Sequence, residues 1–145
     1  MVQIEHTVVI NRPCATVFAA LTDFATTPAW QPQVIEERPI PAGPVVVGTQ
    51  IYQARRFMGR RIESTSRVVE FVPDQRMVNR SAPDVVPGVE TAYLLTPVAG
   101  GTQLTFRITL TGRGIGWQLL QPIMRRALHN DVAQRFRTLK TRLEA

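Results

Sequence analysis

The last quarter of the chain sets the terms for everything before it. From Gly112 the sequence reads Gly-Arg-Gly-Ile-Gly and then continues to Ala145 without a loop signal. Apolar residues recur there at helical spacing, at Leu120, Met124, Leu128, Val132 and Phe136, and Leu139 and Leu143 continue the series. Thirty residues of helix at about 1.5 Å each span roughly 45 Å, longer than most helices of globular proteins. Such a helix needs a broad apolar surface to lie on, and the residues before it must supply that surface.

No single face of this helix is apolar along its whole length. Stepping 100° per residue from Leu120, the group Leu119, Leu120, Ile123, Met124 and Ala127 centres near roughly −30°, whereas Leu128, Val132, Phe136, Leu139 and Leu143 centre near roughly +120°. Pro122 falls within the first group, where it removes a backbone donor. The expectation is a division of labour: the first half, with Leu120 and Met124, lids a cavity, and the second half packs on a sheet.

The preceding segments read mostly as strands. Ile4, His6, Val8 and Ile10 share one parity in a first strand, Val2 to Ile10. Asn11-Arg12-Pro13 reads as a helix start with Asn11 as cap, leading to Val17, Phe18 and Leu21. Pro28 and Pro32 leave room for one helical turn around Ala29 and Trp30. Strands are then expected at Val34–Ile40, Thr49–Met58, Arg61–Val72, Arg76–Ser81, Glu90–Val98 and Thr102–Thr111, separated by Pro- and Gly-containing turns. In the last of these Leu104, Phe106, Ile108 and Leu110 alternate with Gln103, Thr105, Arg107 and Thr109, the pattern of a sheet with one buried face. Short turns make sequential strands antiparallel, and the terminal helix is the only element long enough to cover their apolar face. The reading is one α+β domain over residues 1–145.

Composition excludes several classes. The chain is 44% hydrophobic and 19% charged, ordinary for a globular protein. A single cysteine, Cys14, cannot form an internal disulfide, and the N-terminal residues lack the pattern of a signal peptide. A reducing cytoplasm is the location these features suggest. No run approaches eighteen apolar residues, so no membrane span is expected. The formal charge of +6 is concentrated at the end, with seven basic and two acidic residues from Arg113 onward. A contiguous basic run with interleaved aromatics is missing, which argues against a nucleic-acid partner and for a solvated outer face.

The order of elements and several local signatures resemble the START-like superfamily known as SRPBCC, and within it the polyketide cyclase/dehydrase-like proteins. The residues that carry the likeness are Val8-Val9-Ile10-Asn11-Arg12-Pro13 leading to Val17-Phe18, and Leu21-Thr22-Asp23 leading to Trp30-Gln31-Pro32. Val68-Val69-Glu70-Phe71-Val72-Pro73, Gly100-Gly101-Thr102, and the Gly-rich helix start with Leu120 and Pro122 complete it. The resemblance implies a helix-grip fold: a seven-stranded antiparallel sheet wrapped around the long C-terminal helix, with two short helices between strands 1 and 2. It implies binding, transport or sequestration of a hydrophobic small molecule or lipid in an internal cavity. A polyketide cyclase or aromatase activity is the alternative, and a regulatory interaction module using the basic helix is a third reading. The family supplies no universal catalytic motif, so no catalytic residue follows, and whether the chain is an enzyme stays open.

Parity and position select the candidate ligand-binding residues. If Phe106 and Ile108 face inward, hairpin pairing brings Thr91, Tyr93 and Leu95 to the same side, where Tyr93 offers a polar handle in an apolar setting. Ile51 and Gln53 are the inward choices of the third strand, Trp30 closes one end, and Leu120 and Met124 line the lid. Of Arg55 and Arg56, adjacent on a strand, at most one points inward. For a reaction, Tyr93, His129 and Gln53 are the proton-transfer candidates. His6 and His129 lack the partners of a zinc site, and no cofactor is expected. The glycines of Gly112–Gly116 fail the dinucleotide fingerprint at Trp117 and lack a following strand, so they are read as easing the turn from strand into helix. The partners expected are thus a hydrophobic small molecule and, at most, a weakly associating second copy.

Overall fold

The computed structural model describes residues 1–145. β1 (Val2–Ile10) is followed by α1 (Cys14–Thr22), a 3₁₀ turn (Phe24–Thr26) and α2 (Thr27–Trp30). Six strands come next: β2 (Val34–Ile40), β3 (Gln50–Phe57), β4 (Arg60–Val72), β5 (Arg76–Ser81), β6 (Gly88–Val98) and β7 (Gly101–Thr111). The chain closes with α3 (Gly114–Glu144). The strands form one antiparallel sheet in the order β1-β7-β6-β5-β4-β3-β2. β1 and β2 are therefore the two edges, and α1, the 3₁₀ turn and α2 carry the chain from one edge to the other. This is the helix-grip architecture.

Period-two alternation builds the buried face. Ile4 pairs with Ile108, His6 with Phe106 and Val8 with Leu104, while Tyr93 pairs with Phe106 and Leu95 with Leu104. One face of each strand thereby adds to a core in which Val2, Ile10, Leu104, Phe106 and Val68 are all nearly inaccessible. The opposite face is polar and braced by cross-strand ion pairs, among them Arg107 with Glu5 and Arg80 with Glu90, each directly opposite in register.

α1 does not start as the sequence suggests. Pro13, not Asn11, occupies the cap position, and no side chain caps the helix. The backbone N–H of Asn11 instead donates to the Glu144 carboxylate at 2.9 Å, and Arg12 Nε donates to the Leu143 carbonyl at 2.6 Å. Lys140 Nζ donates to the Val9 carbonyl at 2.5 Å. These contacts clamp the C-terminal end of α3 to the end of β1. They also assign part of the terminal basic excess to structure.

The two halves of α3 are buried unequally. Val132, Phe136 and Leu139 are fully buried, together with Arg135. In the first half Ile115, Leu119 and Ile123 are two-thirds or more exposed, and Leu120 is half exposed. The entry to α3 is tight. Gly114 has φ +86°, a left-handed conformation that favours glycine, and a Cβ on Gly112 would sit 2.3 Å from the ring of Trp117. The glycines there serve the sharp exit from β7, and every strand pairing in the sheet is antiparallel.

Candidate functional site

The site lies where the inner face of β2, β3, β6 and β7 meets the second half of α3. Its floor is aromatic. Phe136 of α3 stands 5.0 Å from Phe106, 5.6 Å from Trp30 and 6.0 Å from His6, centroid to centroid, and Tyr93 lies 5.1 Å from Phe106. The Arg135 guanidinium rests 5.8 Å from the centre of the Phe106 ring. Trp30, held at the end of α2, is almost fully buried.

Charged and polar side chains are set into this apolar floor. Glu37 of β2 accepts hydrogen bonds from Thr27 Oγ1 at 2.8 Å and from Gln53 Nε2 at 2.6 Å. Gln53 and Glu37 are direct partners in register. Burial raises the Glu37 carboxyl above the usual carboxylate range, and the two hydrogen bonds offset part of that rise. Arg55 follows Gln53 on the same side of β3; burial, then the nearby Arg135 charge, lowers its guanidinium from the usual value. Arg135 is ion-paired with Asp131 one turn earlier on α3. Burial, reinforced by the Glu37 charge, raises the Tyr93 phenol, which keeps it neutral.

The inner face is open toward one end. Ile51 pairs with Ser66, Gln53 with Ser64 and Arg55 with Ile62. Along this row exposure climbs from buried Ile51 and Val68 to Ile62 and Phe57, which are 42% and 51% exposed. Antiparallel alternation places the β3–β4 turn, the β5–β6 loop and the start of α3 at this same end. Exposed Met58, Val85, Val86 and Ile115 collect there. The second half of α3 grips the sheet and the first half leaves the inner face accessible.

Each residue singled out from sequence has a place in this frame. Trp30, Ile51, Phe106 and Ile108 are buried core residues, and Tyr93 packs against that core. Gln53 orients Glu37. Met124 is packed against the core, whereas Leu120 projects into solvent over half its surface. Tyr52 lies on the outer face, donating to Glu63 at 2.6 Å. His129 lies outside the aromatic cluster on α3. Sequence reasoning did not name Glu37, Asp131 or Arg135 as site residues; of Arg55 and Arg56, of which it let at most one point inward, the structure turns Arg55 inward. No group of three or more His, Cys, Asp or Glu side chains could hold a metal ion. Two hollows of about 320 and 340 Å³ lie elsewhere, one on the outer face beside Arg80 and Thr109 and one between α2 and α3 beside Ala29 and Arg137. The first is walled by the Arg80–Glu90 pair and by Arg113.

The family described as polyketide cyclase/dehydrase and lipid transport matches residues 1–144. No curated protein matches in sequence. Among solved structures, TTHA0849 from Thermus thermophilus superposes with a TM-score of 0.80 at 15% identity, covering 97% of this chain and 96% of its own. A START superfamily protein from Mycobacterium smegmatis gives a TM-score of 0.77 at 15% identity over 98% and 97%. The di-domain aromatase/cyclase StfQ of steffimycin biosynthesis gives 0.77 at 18% identity, covering 97% of this chain and 49% of StfQ, so this chain corresponds to one half of it. These likenesses carry the fold. No helix is long and apolar enough to cross a membrane.

Proposed function

The chain belongs to the polyketide cyclase/dehydrase and lipid transport family, and from that membership and its half-open interior we propose that it binds a hydrophobic small molecule or lipid between the sheet and α3. The observation that carries this reading is the graded inner face. A helix serving only to seal a core would bury its apolar residues along its length, yet Leu119, Leu120 and Ile123 stay in water, as do Ile62 and Phe57 on the inner face of the sheet. An apolar ligand entering at this end would bury that surface against the aromatic floor.

Thermal unfolding in the presence of apolar probes tests the reading. A probe at a hundredfold excess over its Kd stabilises by about 2.7 kcal/mol, which raises Tm by roughly 5–11 °C for a domain of this size. No shift with any alkyl or aromatic probe, together with no ligand in solvent extracts of the protein from its host, refutes it.

The likeness to StfQ and the neutral Tyr93 phenol support a second reading, folding and dehydration of a polyketide chain with proton transfer at the site. It expects turnover that falls when Tyr93 becomes Phe. Unchanged turnover removes Tyr93 from such a mechanism.

A further inference from the structure

The interior holds more hydrogen-bond donors than the protein satisfies. Four buried side-chain polar atoms lack a partner: Trp30 Nε1, Arg55 Nε, Arg135 Nε and Asn79 Oδ1. Three of the four are donors. Arg55 makes no side-chain hydrogen bond or ion pair with the protein, and Arg135, with 7% of its side chain accessible, pairs only with Asp131 through one terminal nitrogen. Both Glu37 oxygens already accept, from Thr27 and Gln53. Unpartnered buried donors are costly, and guanidinium groups cannot shed their charge to escape that cost. A donor surplus beside an aromatic floor describes half of a complex whose other half is an acceptor.

We propose that Arg55 and Arg135 form the head-group site for a carboxylate carried by the ligand, whose apolar body lies along the uncovered inner-face side chains Ile62 and Phe57. This rests on the small-molecule reading above and narrows it to amphipathic acids. The charge balance selects a monoanion. Asp131 offsets one of the two guanidinium charges, and Glu37, which lies within the field of both arginines, is held toward its neutral form by burial. About one positive charge is left to be matched, and a dianionic phosphate would overshoot it. The planar fork of arginine suits the two coplanar oxygens of a carboxylate.

Titration calorimetry at neutral pH with matched probes tests this: dodecanoate against dodecanol and dodecyl phosphate, and 2-naphthoate against 2-naphthalenemethanol. The expected result is a carboxylate bound about ten- to a hundredfold more tightly than its alcohol, the range of a charge-assisted hydrogen bond, with dodecanoate preferred to dodecyl phosphate. Arg55→Met should abolish the preference, so that acid and alcohol bind within about twofold of each other, and leave stability equal or improved, because it removes an unpaired charge. Arg55→Gln serves the same comparison if the methionine variant does not fold. Equal affinity for acid and alcohol overturns the head-group site while leaving cavity binding intact. A stronger preference for phosphate overturns the carboxylate assignment, as does a preference that survives loss of Arg55. Binding of none of these probes overturns the cavity reading, and this inference with it.

Discussion

Truncating Phe136 to alanine removes a fully buried ring that touches four aromatic neighbours, with centroids 5.0 Å from Phe106, 5.6 Å from Trp30, 6.0 Å from His6 and 6.3 Å from Tyr93. An aromatic side chain buries about 150–250 Å². At about 25 cal/mol per Å² its transfer out of water is worth about 4–6 kcal/mol. Alanine retains the Cβ, while the hole left among rigid rings adds a cavity penalty, so the expected loss is about 3–5 kcal/mol. Against a total stability on the order of 5–15 kcal/mol that is a large share. A loss of about 4 kcal/mol lowers Tm by about 8–16 °C for a domain of this size. Guanidinium chloride unfolding measures it as a fall in midpoint at constant slope. Leu119→Ala on the first half of α3 is the matched control. Leu119 is 72% exposed and alanine is the better helix former, so its effect should stay within about 0.5 kcal/mol. A Phe136→Ala loss below about 1 kcal/mol, or equal losses in the two variants, would refute the claim that the second half of α3 carries the main grip on the sheet.

Two further predictions concern the site carboxylate and the helix entry. Because burial raises the folded-state pKa of Glu37 above its unfolded value of 4.5, the folded protein holds the proton more tightly. Stability therefore falls as pH rises from about 4.5 through the raised value, at up to about 1.4 kcal/mol per pH unit from this one group. Glu37→Gln, whose amide oxygen accepts from Gln53 Nε2 while its NH2 donates to the Thr27 hydroxyl, should flatten that stretch of the denaturation midpoint against pH, and an unchanged profile would remove Glu37 as its source. Gly112→Ala drives a Cβ to 2.3 Å from the Trp117 ring, an overpacking worth about 1–3 kcal/mol. Trp117→Leu should relieve it in a double-mutant cycle, and an additive cycle would show that the ring does not set the need for glycine.

Much of this fold is legible in the sequence because its signals are local. The alternation Leu104-Phe106-Ile108-Leu110, the glycines at 100 and 101 and the apolar spacing of α3 each act within a few residues. Those elements formed where the sequence placed them, apart from ends such as β6, which starts at Gly88 rather than Glu90. The charged half of the site was read only as far as one of Arg55 and Arg56 pointing inward, because composition rules send arginine and glutamate to the surface, although the signals that locate the rest are present. Val132, Arg135, Phe136 and Leu139 stand at i, i+3, i+4 and i+7, so the face that buries three apolar residues must bury Arg135 as well. Likewise the parity that turns Ile51 and Gln53 inward carries Arg55 with them. What sequence withholds is the pairing: β2 brings Glu37 opposite Gln53 through a bulge between Val34 and Glu36, and a one-residue change of register there would turn the carboxyl to the outer face. A charge held on an apolar face against its own solvation needs compensation from elsewhere in the structure or from a ligand. Asp131 pairs with Arg135, whereas Arg55 has no hydrogen-bond or ion-pair partner and feels the Asp131 and Glu37 carboxylates only at longer range. Where a sequence pattern forces a charge inward and the fold leaves it unpaired, function rather than stability is the reason to retain it, and Arg55 is the residue where that argument meets the measurement.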